Sequence, residues 1–260
     1  MILPQKYKNK RIFFYFCTMI ANNPELIGFI FAAGLGTRLY PLTANRPKAL
    51  VKYEGIPLLE RVVTRMTTAG VRRIVVNVHH FADQIIDFLK ARRFDADIVI
   101  SDERAYLRDT AGGLKFASPW LQDCRHVLIH NVDIVTNMSL EALVEAHVGS
   151  GADATLAVRD RKTSRYFVFD PSTMRLQGWH NVSTDERKGL SVTGPMAEMA
   201  FSGIHVIRRE MLESIPTVEK SSITDFYLQS VSDFEIIGYE HNSDLWCDVG
   251  KYEEYANILS

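Results

Sequence analysis

The feature that most constrains this chain is an apolar run that ends in a glycine-rich turn. Residues 26–33 are apolar throughout, which is typical of a buried central strand in a parallel sheet. Gly34 and Gly36 follow directly, and because both can take positive φ angles and neither has a Cβ, backbone N–H groups can close on an anion there. The pattern predicts an anion-binding turn at the carboxyl end of the first strand.

Two cations follow this turn. Arg38 offers a planar fork of donors that suits phosphate oxygens, and Lys48 offers a movable point charge. Pro41 and Pro47 restrict the chain that carries them. Together these residues predict phosphate binding, and a tight strand-to-helix turn with surface cations is the structural alternative.

Two familiar phosphate loops do not fit. The dinucleotide-binding fingerprint needs a third glycine where Leu39 stands, and the P-loop needs a Gly-Lys-Ser/Thr tripeptide that does not follow Gly36. The residues instead read Gly34-x-Gly-Thr-Arg-x-x-Pro-Leu-Thr-x-x-x-Pro-Lys48. This pattern resembles the signature of the sugar-1-phosphate nucleotidyltransferases.

Composition is compatible with one cytoplasmic α/β domain. A chain of 260 residues with 47% apolar content can bury a substantial core. The formal net charge of −1 favours neither a nucleic-acid partner nor a polybasic contact with a membrane. The cysteines are odd in number and widely spaced, which indicates reduced thiols: Cys17, Cys124 and Cys247.

The first 22 residues are expected to lie outside the domain. A basic segment there precedes the short apolar run 12–21, an arrangement that looks like a weak signal peptide but is too short to span a bilayer. We expect either that Met19 is the true start or that residues 1–22 are a loosely ordered extension. A single nucleotidyltransferase domain is then expected over residues 23–260.

Strands and helices alternate over the first 150 residues, which predicts a doubly wound, mainly parallel mixed sheet flanked by helices. After residue 26 the expected strands are Val71–Val78, Asp97–Ile100, His126–His130, Ala154–Val158, Arg165–Asp170, Met174–Trp179, Ala200–Ile207 and Phe234–Tyr239. The expected helices begin at Pro57 and occupy Phe81–Arg92, Leu114–Leu121, Leu140–Val148, Ser222–Val231 and Tyr252–Leu259, with polar loops over 102–113 and 181–195. No hexapeptide array is present, so no C-terminal β-helix is expected.

Two aspartates are candidates for a Mg²⁺ site. Asp133 follows the fourth strand, and Asp248 ends another short strand. Ligands bind beyond the carboxyl ends of parallel strands, and Mg²⁺ favours a few carboxylates together with substrate phosphates and water. Two unrelated aspartates in turns are the alternative.

The family resemblance supports this pairing and extends it over residues 25–260. The family has one aspartate after its fourth strand, in a Gly-Asp pair, and another in a Trp-x-Asp-x-Gly-like segment. These correspond to Asp133 and to Asp248 within Trp246-Cys-Asp-Val-Gly250. The resemblance implies a mixed, mainly parallel seven-stranded sheet, and Val132 departs from it by standing where the family commonly has glycine.

The resemblance also implies which residues hold the substrates. Thr110, in Asp109-Thr-Ala-Gly-Gly113, either contacts the nucleobase or caps the next helix. His79 belongs to the expected base pocket, whereas a metal on His79 and His80 has poor ligand geometry. The nucleotide-binding set is Ala33, Gly34, Leu35, Gly36, Thr37, Asn77, Asp109, Thr110 and Gly112, and the sugar-binding set is Glu198, Ser202 and Gly203.

The implied reaction transfers a nucleotidyl group from a nucleoside triphosphate to a sugar 1-phosphate, giving an NDP-sugar and pyrophosphate. Arg38 and Lys48 are the expected catalytic residues, with Mg²⁺ on Asp133 and Asp248. The Phe201-Ser-Gly-Ile204 segment and the Trp-x-Asp-Val-Gly ending most resemble the N-acetylmuramate-1-phosphate uridylyltransferases of peptidoglycan recycling.

Several alternatives remain open at the level of sequence. Mannose, glucose or heptose 1-phosphate could be the acceptor, or a cytidylyltransferase could act on a non-sugar phosphate. A non-catalytic NDP-sugar sensor is a further alternative, although such sensors tend to lose the lysine or the aspartates, and this chain keeps Lys48, Asp133 and Asp248. No membrane or nucleic-acid partner is expected, and the protein is expected to be a monomer or a homodimer.

Overall fold

A computed structural model describes residues 25–189, 194–217 and 220–250. The expected extension 1–22 and the expected helix Tyr252–Leu259 lie outside these ranges, as does part of the expected loop 181–195. The described strands are β1 Leu26–Phe31, β2 Lys52–Tyr53, β3 Ile56–Pro57, β4 Arg73–Val78, β5 Asp97–Asp102, β6 His126–Asn131, β7 Ile134–Thr136, β8 Ala154–Arg159, β9 Arg165–Phe169, β10 Leu176–Asn181, β11 Glu186–Gly189, β12 Ala197–Arg208, β13 Ile236–Glu240 and β14 Trp246–Asp248. The described α-helices are α1 Leu58–Thr68, α2 Ala82–Lys90, α3 Asp109–Phe116, α4 Leu140–Ser150, α5 Met211–Ser214 and α6 Ile223–Ser230.

The predicted mixed sheet is confirmed, with ten strands among the described residues where the resemblance implied seven. The strand order is β11-β10-β9-β12-β6-β1-β4-β5; in addition, β8 pairs with β12 and β13 pairs with β8. Strands β1, β4, β5 and β6 are parallel, whereas β12 is antiparallel to β6, β8 and β9. The parallel half therefore opens its carboxyl edge to one side.

Helices cover both faces of the sheet, so the central strand is buried on two sides. Phe29 and Ile30 are neighbours on β1 and both are fully buried, but they belong to separate clusters. Ile30 packs with residues of α1, α2 and α4, and Phe29 packs with residues of α3, α5 and α6. This explains why the strand reads as an apolar run rather than as an alternation.

The predicted loop 102–113 is wrong at its end, because α3 already begins at Asp109. The first helical N–H groups need acceptors, and Asp109 Oδ1 accepts only from Thr110 N, at 2.7 Å. The carbonyl of Ser221 supplies one to Ala111 N at 2.9 Å and to Gly112 N at 3.2 Å. A distant segment thus stabilises a helix that its two glycines disfavour.

The predicted loop 181–195 also contains structure, since β11 occupies Glu186–Gly189. All four of its residues are exposed, so it shows no alternation of apolar and polar side chains. It pairs with β10 where two glycines meet: a Cβ on Gly178 would lie 2.5 Å from Lys188 O.

Among the described helices, none is long and apolar enough to cross a membrane.

Buried histidines make the stability of the fold depend on pH. Burial lowers the pKa of His205 to about 3, that of His147 to about 3 and that of His130 to about 4. In the unfolded chain histidines take up protons below pH about 6.5. The unfolded state then binds more protons than the native state, so the free energy of unfolding falls as the pH is lowered through this range.

His205 allows a test of this dependence. Its ring lies between Phe201 and Tyr227, at centroid distances of 5.4 and 5.7 Å, and neither ring nitrogen has a hydrogen-bond partner among the described residues. We expect His205→Phe to keep the aromatic packing and to remove about 2 kcal/mol of the destabilisation that develops between pH 7.5 and pH 5. Urea unfolding of both proteins at the two pH values measures it. An unchanged difference between the two pH values would contradict the expectation.

Candidate active site

A cleft lies at the carboxyl edge of the parallel strands. It encloses about 370 Å³ and is lined by Phe31, Ala33, Gly34, Arg38, Lys48, Asn77, Leu107, Asp109, Thr110, Asn131, Asp133 and Lys220. Strands β4 and β6 pair with β1 on either side, so the segments that follow these three strands meet there. Both predicted catalytic cations and the first predicted metal ligand line this one cleft.

The glycine turn is shaped by close approaches rather than by flexibility. Gly36 has φ 68°, and a Cβ there would lie 3.0 Å from Thr43 Cγ2 and 3.1 Å from Lys48 Cβ. The Thr43 hydroxyl donates to Gly36 O at 2.9 Å, which joins the turn to the segment that carries Lys48. Glycine at this position therefore lets the two segments pack against each other.

Asn77 holds the start of the turn from below. Its Oδ1 accepts from Ala32 N at 2.7 Å and from Ala33 N at 3.2 Å, and its side chain is almost fully buried. The side-chain oxygen of Asn77, which was predicted to bind the nucleotide, is therefore already hydrogen-bonded to the turn. His79, also expected near the base, has its Nδ1 2.9 Å from Glu103 O.

Lys48 and Asp133 form a largely buried ion pair. Their Nζ and Oδ2 atoms are 2.8 Å apart, with side-chain exposures of 15% and 9%. Burial by itself raises the pKa of the Asp133 carboxyl, but the charge and hydrogen bond of Lys48 outweigh it, so this pKa lies below its usual value. The carboxylate is therefore ionised at neutral pH and ready to bind a cation.

A two-stranded sheet brings the second aspartate to the first. Strands β7 and β14 are antiparallel, with Asp248 opposite Ile134, and Val249 N donates to Asp133 O at 3.0 Å. A Cβ on Gly250 would lie 2.4 Å from Asp133 Oδ2 and 2.8 Å from Asp248 Oδ1. Gly250 N also donates to Asp248 Oδ1 at 2.8 Å, so both oxygens border the small space that the missing Cβ of Gly250 leaves open.

The donor set around this space fits a hard divalent cation. Mg²⁺ in proteins is usually held by one or two carboxylates, with substrate phosphates and water as its other ligands. Within the described ranges, no cluster of three or more His, Cys, Asp or Glu side chains could hold a metal by itself. Substrate oxygens would have to complete the coordination.

The opposite wall of the cleft is the start of α3. Asp109 has φ 62°, and its Oδ1 accepts from Thr110 N at 2.7 Å. The Thr110 hydroxyl accepts from Ile223 N at 2.7 Å, so Thr110 caps α6 rather than its own helix and still lines the cleft. Gly112 is buried, and its N–H is bonded to Ser221 O.

The three predicted sugar ligands are spread along β12 and do not line this cleft. Ser202 is fully buried: its hydroxyl is 2.6 Å from His241 Nε2, and its carbonyl accepts from Trp246 Nε1 at 3.0 Å, so both groups already have partners within the protein. Glu198 Oε1 lies 2.6 Å from His180 Nδ1. Gly203 comes nearest to the cleft, since a Cβ there would lie 2.8 Å from Asn131 Nδ2.

Sequence reasoning missed several residues that the fold brings here. Asn131 and Lys220 line the cleft, and Glu103 is buried beside Asn77. Burial raises the pKa of Glu103. Asn131 could have been found as the last residue of the strand before Asp133, whereas Lys220 has no local signal because tertiary contacts of the next residue, Ser221, bring it to the cleft.

The sequence is similar to those of known proteins. The family model described as "Nucleotidyl transferase" matches residues 27–260. The N-acetylmuramate alpha-1-phosphate uridylyltransferase of Caulobacter vibrioides is 32% identical over 232 residues, covering 86% of this chain and 91% of that protein. A putative mannose-1-phosphate guanyltransferase of Sulfolobus acidocaldarius is 29% identical over 88% of this chain, which spans 61% of that longer protein.

Solved structures agree in fold. HddC from Yersinia pseudotuberculosis, complexed with GMP-PN, superposes with a TM-score of 0.70 at 20% identity, over 89% of this chain and 97% of that one. A putative glucose-1-phosphate thymidylyltransferase from Bacillus anthracis gives 0.75 at 16% identity, over 90% and 93%. With the family model matching most of the chain, this protein belongs to the nucleotidyl transferase family and is a sugar-1-phosphate nucleotidyltransferase.

Proposed function

We propose that the enzyme transfers the uridylyl group of UTP to N-acetylmuramate 1-phosphate, giving the UDP-sugar and pyrophosphate. The observation that carries the reaction type is the Lys48–Asp133 pair beside the glycine turn. The substrate assignment is supported by the uridylyltransferase of Caulobacter vibrioides, which matches over nearly its full length. Such a reaction belongs in the cytoplasm, where the nucleoside triphosphate is made.

The chemistry is a single in-line displacement. A phosphate oxygen of the sugar 1-phosphate attacks the α-phosphorus, a new P–O bond forms, and the bond to the β-phosphate oxygen breaks with its electron pair leaving on pyrophosphate. The attacking oxygen is already anionic, so no general base is needed. The remaining obstacle is repulsion between anions, which the protein overcomes by positioning and charge.

The residues of the cleft divide this work. Arg38 and the N–H groups of the turn from Gly34 to Thr37 hold the β and γ phosphates, and Lys48 holds the α-phosphate and the incoming phosphate. In the free enzyme Lys48 and Asp133 neutralise each other at 2.8 Å. If the phosphates entered with a divalent cation, Lys48 would exchange its carboxylate partner for phosphate and Asp133 would exchange its ammonium partner for the cation, so neither would be left buried and uncompensated.

Asp133 and Asp248 are the proposed ligands of Mg²⁺. Bound there, the ion would neutralise charge on the reacting phosphates. The two carboxylates orient toward the same open space at Gly250, and the Lys48 contact keeps Asp133 ionised.

The substrate-binding assignments follow the walls of the cleft. Ala33, Gly34, Leu35, Gly36 and Thr37 belong to the phosphate side of the nucleotide site, and Asp109, Thr110 and Gly112 to its nucleoside side. Asn77 acts through the turn that it holds. Glu198, Ser202 and Gly203 remain the proposed sugar side, of which Gly203 lies beside Asn131 at the cleft.

Guanylyl transfer to mannose 1-phosphate is the second candidate. It is favoured by several mannose-1-phosphate guanyltransferases at 26–29% identity. Glucose or heptose 1-phosphate would use the same chemistry. The protein is proposed to act as a monomer or homodimer, without nucleic acid or membrane.

A substrate grid tests the assignment. Pyrophosphate release is measured with five nucleoside triphosphates against N-acetylmuramate, N-acetylglucosamine, glucose, mannose and heptose 1-phosphates, with Mg²⁺ or EDTA. We expect the highest kcat/KM for UTP with N-acetylmuramate 1-phosphate, and no turnover in EDTA. A clear preference for another pair would replace the substrate and keep the chemistry, whereas tight nucleotide binding without turnover on any pair would point to a sensor.

Gly250 allows a steric test of the proposed metal site. We expect Gly250→Ala to lower kcat by about 10² and to weaken Mn²⁺ binding measured by electron paramagnetic resonance, because the new methyl group collides with both carboxylates. Gly149→Ala is the matched control, since a Cβ there meets nothing within 4 Å. Full activity of Gly250→Ala would show that the metal does not bind between Asp133 and Asp248 beside this residue.

Lys48 allows an electrostatic test. Lys48→Met should lower kcat by roughly 10²–10³ because the α-phosphate loses its positive partner. It should also raise the pKa of the Asp133 carboxyl, which then lies buried without its cation. Steady-state kinetics of this variant and of Lys90→Met, an exposed lysine at the end of α2, measure the effect. Equal rates in the two variants would exclude Lys48 from the mechanism.

A further inference from the structure

Two buried polar side chains meet beneath the cleft. Asn77 lies on β4 and Glu103 directly follows β5, and each is only 2% exposed. Asn77 Nδ2 donates to Glu103 Oε1 at 2.7 Å. Neither side chain is assigned a part in the displacement step, and the hydrogen bonds of the pair reach both walls that would hold a nucleotide.

Each side chain also grips one wall of the cleft. Asn77 Oδ1 accepts from the N–H groups of Ala32 and Ala33, where the phosphate turn begins. Glu103 Oε2 accepts from Arg108 N at 3.3 Å, immediately before Asp109. The pair therefore forms a continuous hydrogen-bonded path from the phosphate turn to the start of α3.

The body of α3 packs directly onto this pair. A Cβ on Gly113 would lie 2.7 Å from Glu103 Oε1 and 3.0 Å from Asn77 Nδ2. Glycine at this position lets the helix approach the pair without displacing it. The phosphate turn and α3 are thus spaced by the same two side chains.

A packing role alone does not explain these residue types. Apolar side chains would fill the same volume without desolvating a carboxyl group, whose burial here raises the pKa of Glu103. Hydrogen bonds, unlike apolar contacts, fix direction and distance. The polar pair is suited to holding two backbone segments at one spacing.

We propose that Asn77 and Glu103 are positioning residues that set the phosphate turn and the Asp109–Thr110 wall in register, so that one nucleotide can engage both. This inference rests on the proposed function for its ligand. If so, the affinity for nucleotide depends on whether a hydrogen-bond donor on one side chain faces an acceptor on the other, and less on which of the two residues supplies the donor.

Exchanging the two polarities gives a direct test. Asn77→Asp brings a carboxylate oxygen against the Glu103 carboxylate, and Glu103→Gln leaves one amide N–H facing either Asn77 or Arg108 N–H. In the double variant the new aspartate accepts from the turn and from the new glutamine, whose oxygen accepts from Arg108 N. All four hydrogen bonds of the path can then form again with the central one reversed.

The measurements are calorimetric binding of UTP and GTP, steady-state kinetics and amide hydrogen exchange. We expect each single variant to weaken UTP binding about tenfold or more, with KM rising more than kcat falls, because a buried group is left without a partner. Exchange at Ala32, Ala33 and Arg108 should accelerate. The double variant should return to within about threefold of wild type in all three measurements.

Asp102→Asn is the matched control, because Asp102 precedes Glu103 but pairs with Arg104 at the surface. Thermal unfolding of each variant confirms that it is folded at the assay temperature. Single variants that bind UTP as well as wild type, or a double variant no better than the weaker single, would overturn the proposal. Wild-type protein that binds neither UTP nor GTP would overturn the proposed function instead, and the exchange pattern would then decide the link by itself.

Discussion

The structure of this site depends on the contact between Lys48 and Asp133. A lysine and an aspartate that are both largely buried are stable there only as a pair, since removing either leaves an uncompensated charge. The contact joins the segment after the glycine turn to the end of β6, and a Cβ on Gly34 would lie only 3.5 Å from Lys48 Nζ. One ion pair therefore joins the proposed catalytic cation, which lies beside the turn, to the proposed metal ligand, and it keeps Asp133 ionised, as the proposed exchange of partners requires.

The rest of the fold brings other groups to this pair. The parallel arrangement of β4, β1 and β6 places three strand ends at one edge, and the short β7–β14 sheet adds Asp248 to that edge. The opposite wall is built differently: α3 depends on the carbonyl of Ser221 for its first N–H groups, and α6 depends on the Thr110 hydroxyl for one of its own. This reciprocal capping means that α3 and α6 stabilise each other, and the start of α3 lines the cleft.

The sequence predicted those parts of the site that local chemistry determines. The glycine turn was predictable because Gly36 requires a positive φ, and Asp133 because it follows an apolar strand. The start of α3 could not be predicted, because the carbonyl that accepts from its first turn belongs to Ser221, far along the chain. Strand β11 could not be predicted either, because all of its residues are exposed. The burial of Ser202 could not be predicted from the alternation of faces along a strand, because the pairing of β12 with β8 shifts register between Phe201 and His205. Gly203, with its positive φ, lies within this shift.

A crystal structure of the enzyme with UTP and Mg²⁺ tests the proposed roles of Lys48 and Asp133 most directly. We expect the ion between Asp133 and Asp248, the α-phosphate within hydrogen-bonding distance of Lys48 Nζ, the Lys48–Asp133 contact opened, and the β and γ phosphates against the turn at Gly34–Thr37. A triphosphate bound away from the turn would contradict it. So would an ion held by other residues, or a Lys48–Asp133 contact that remains at 2.8 Å with the nucleotide in place.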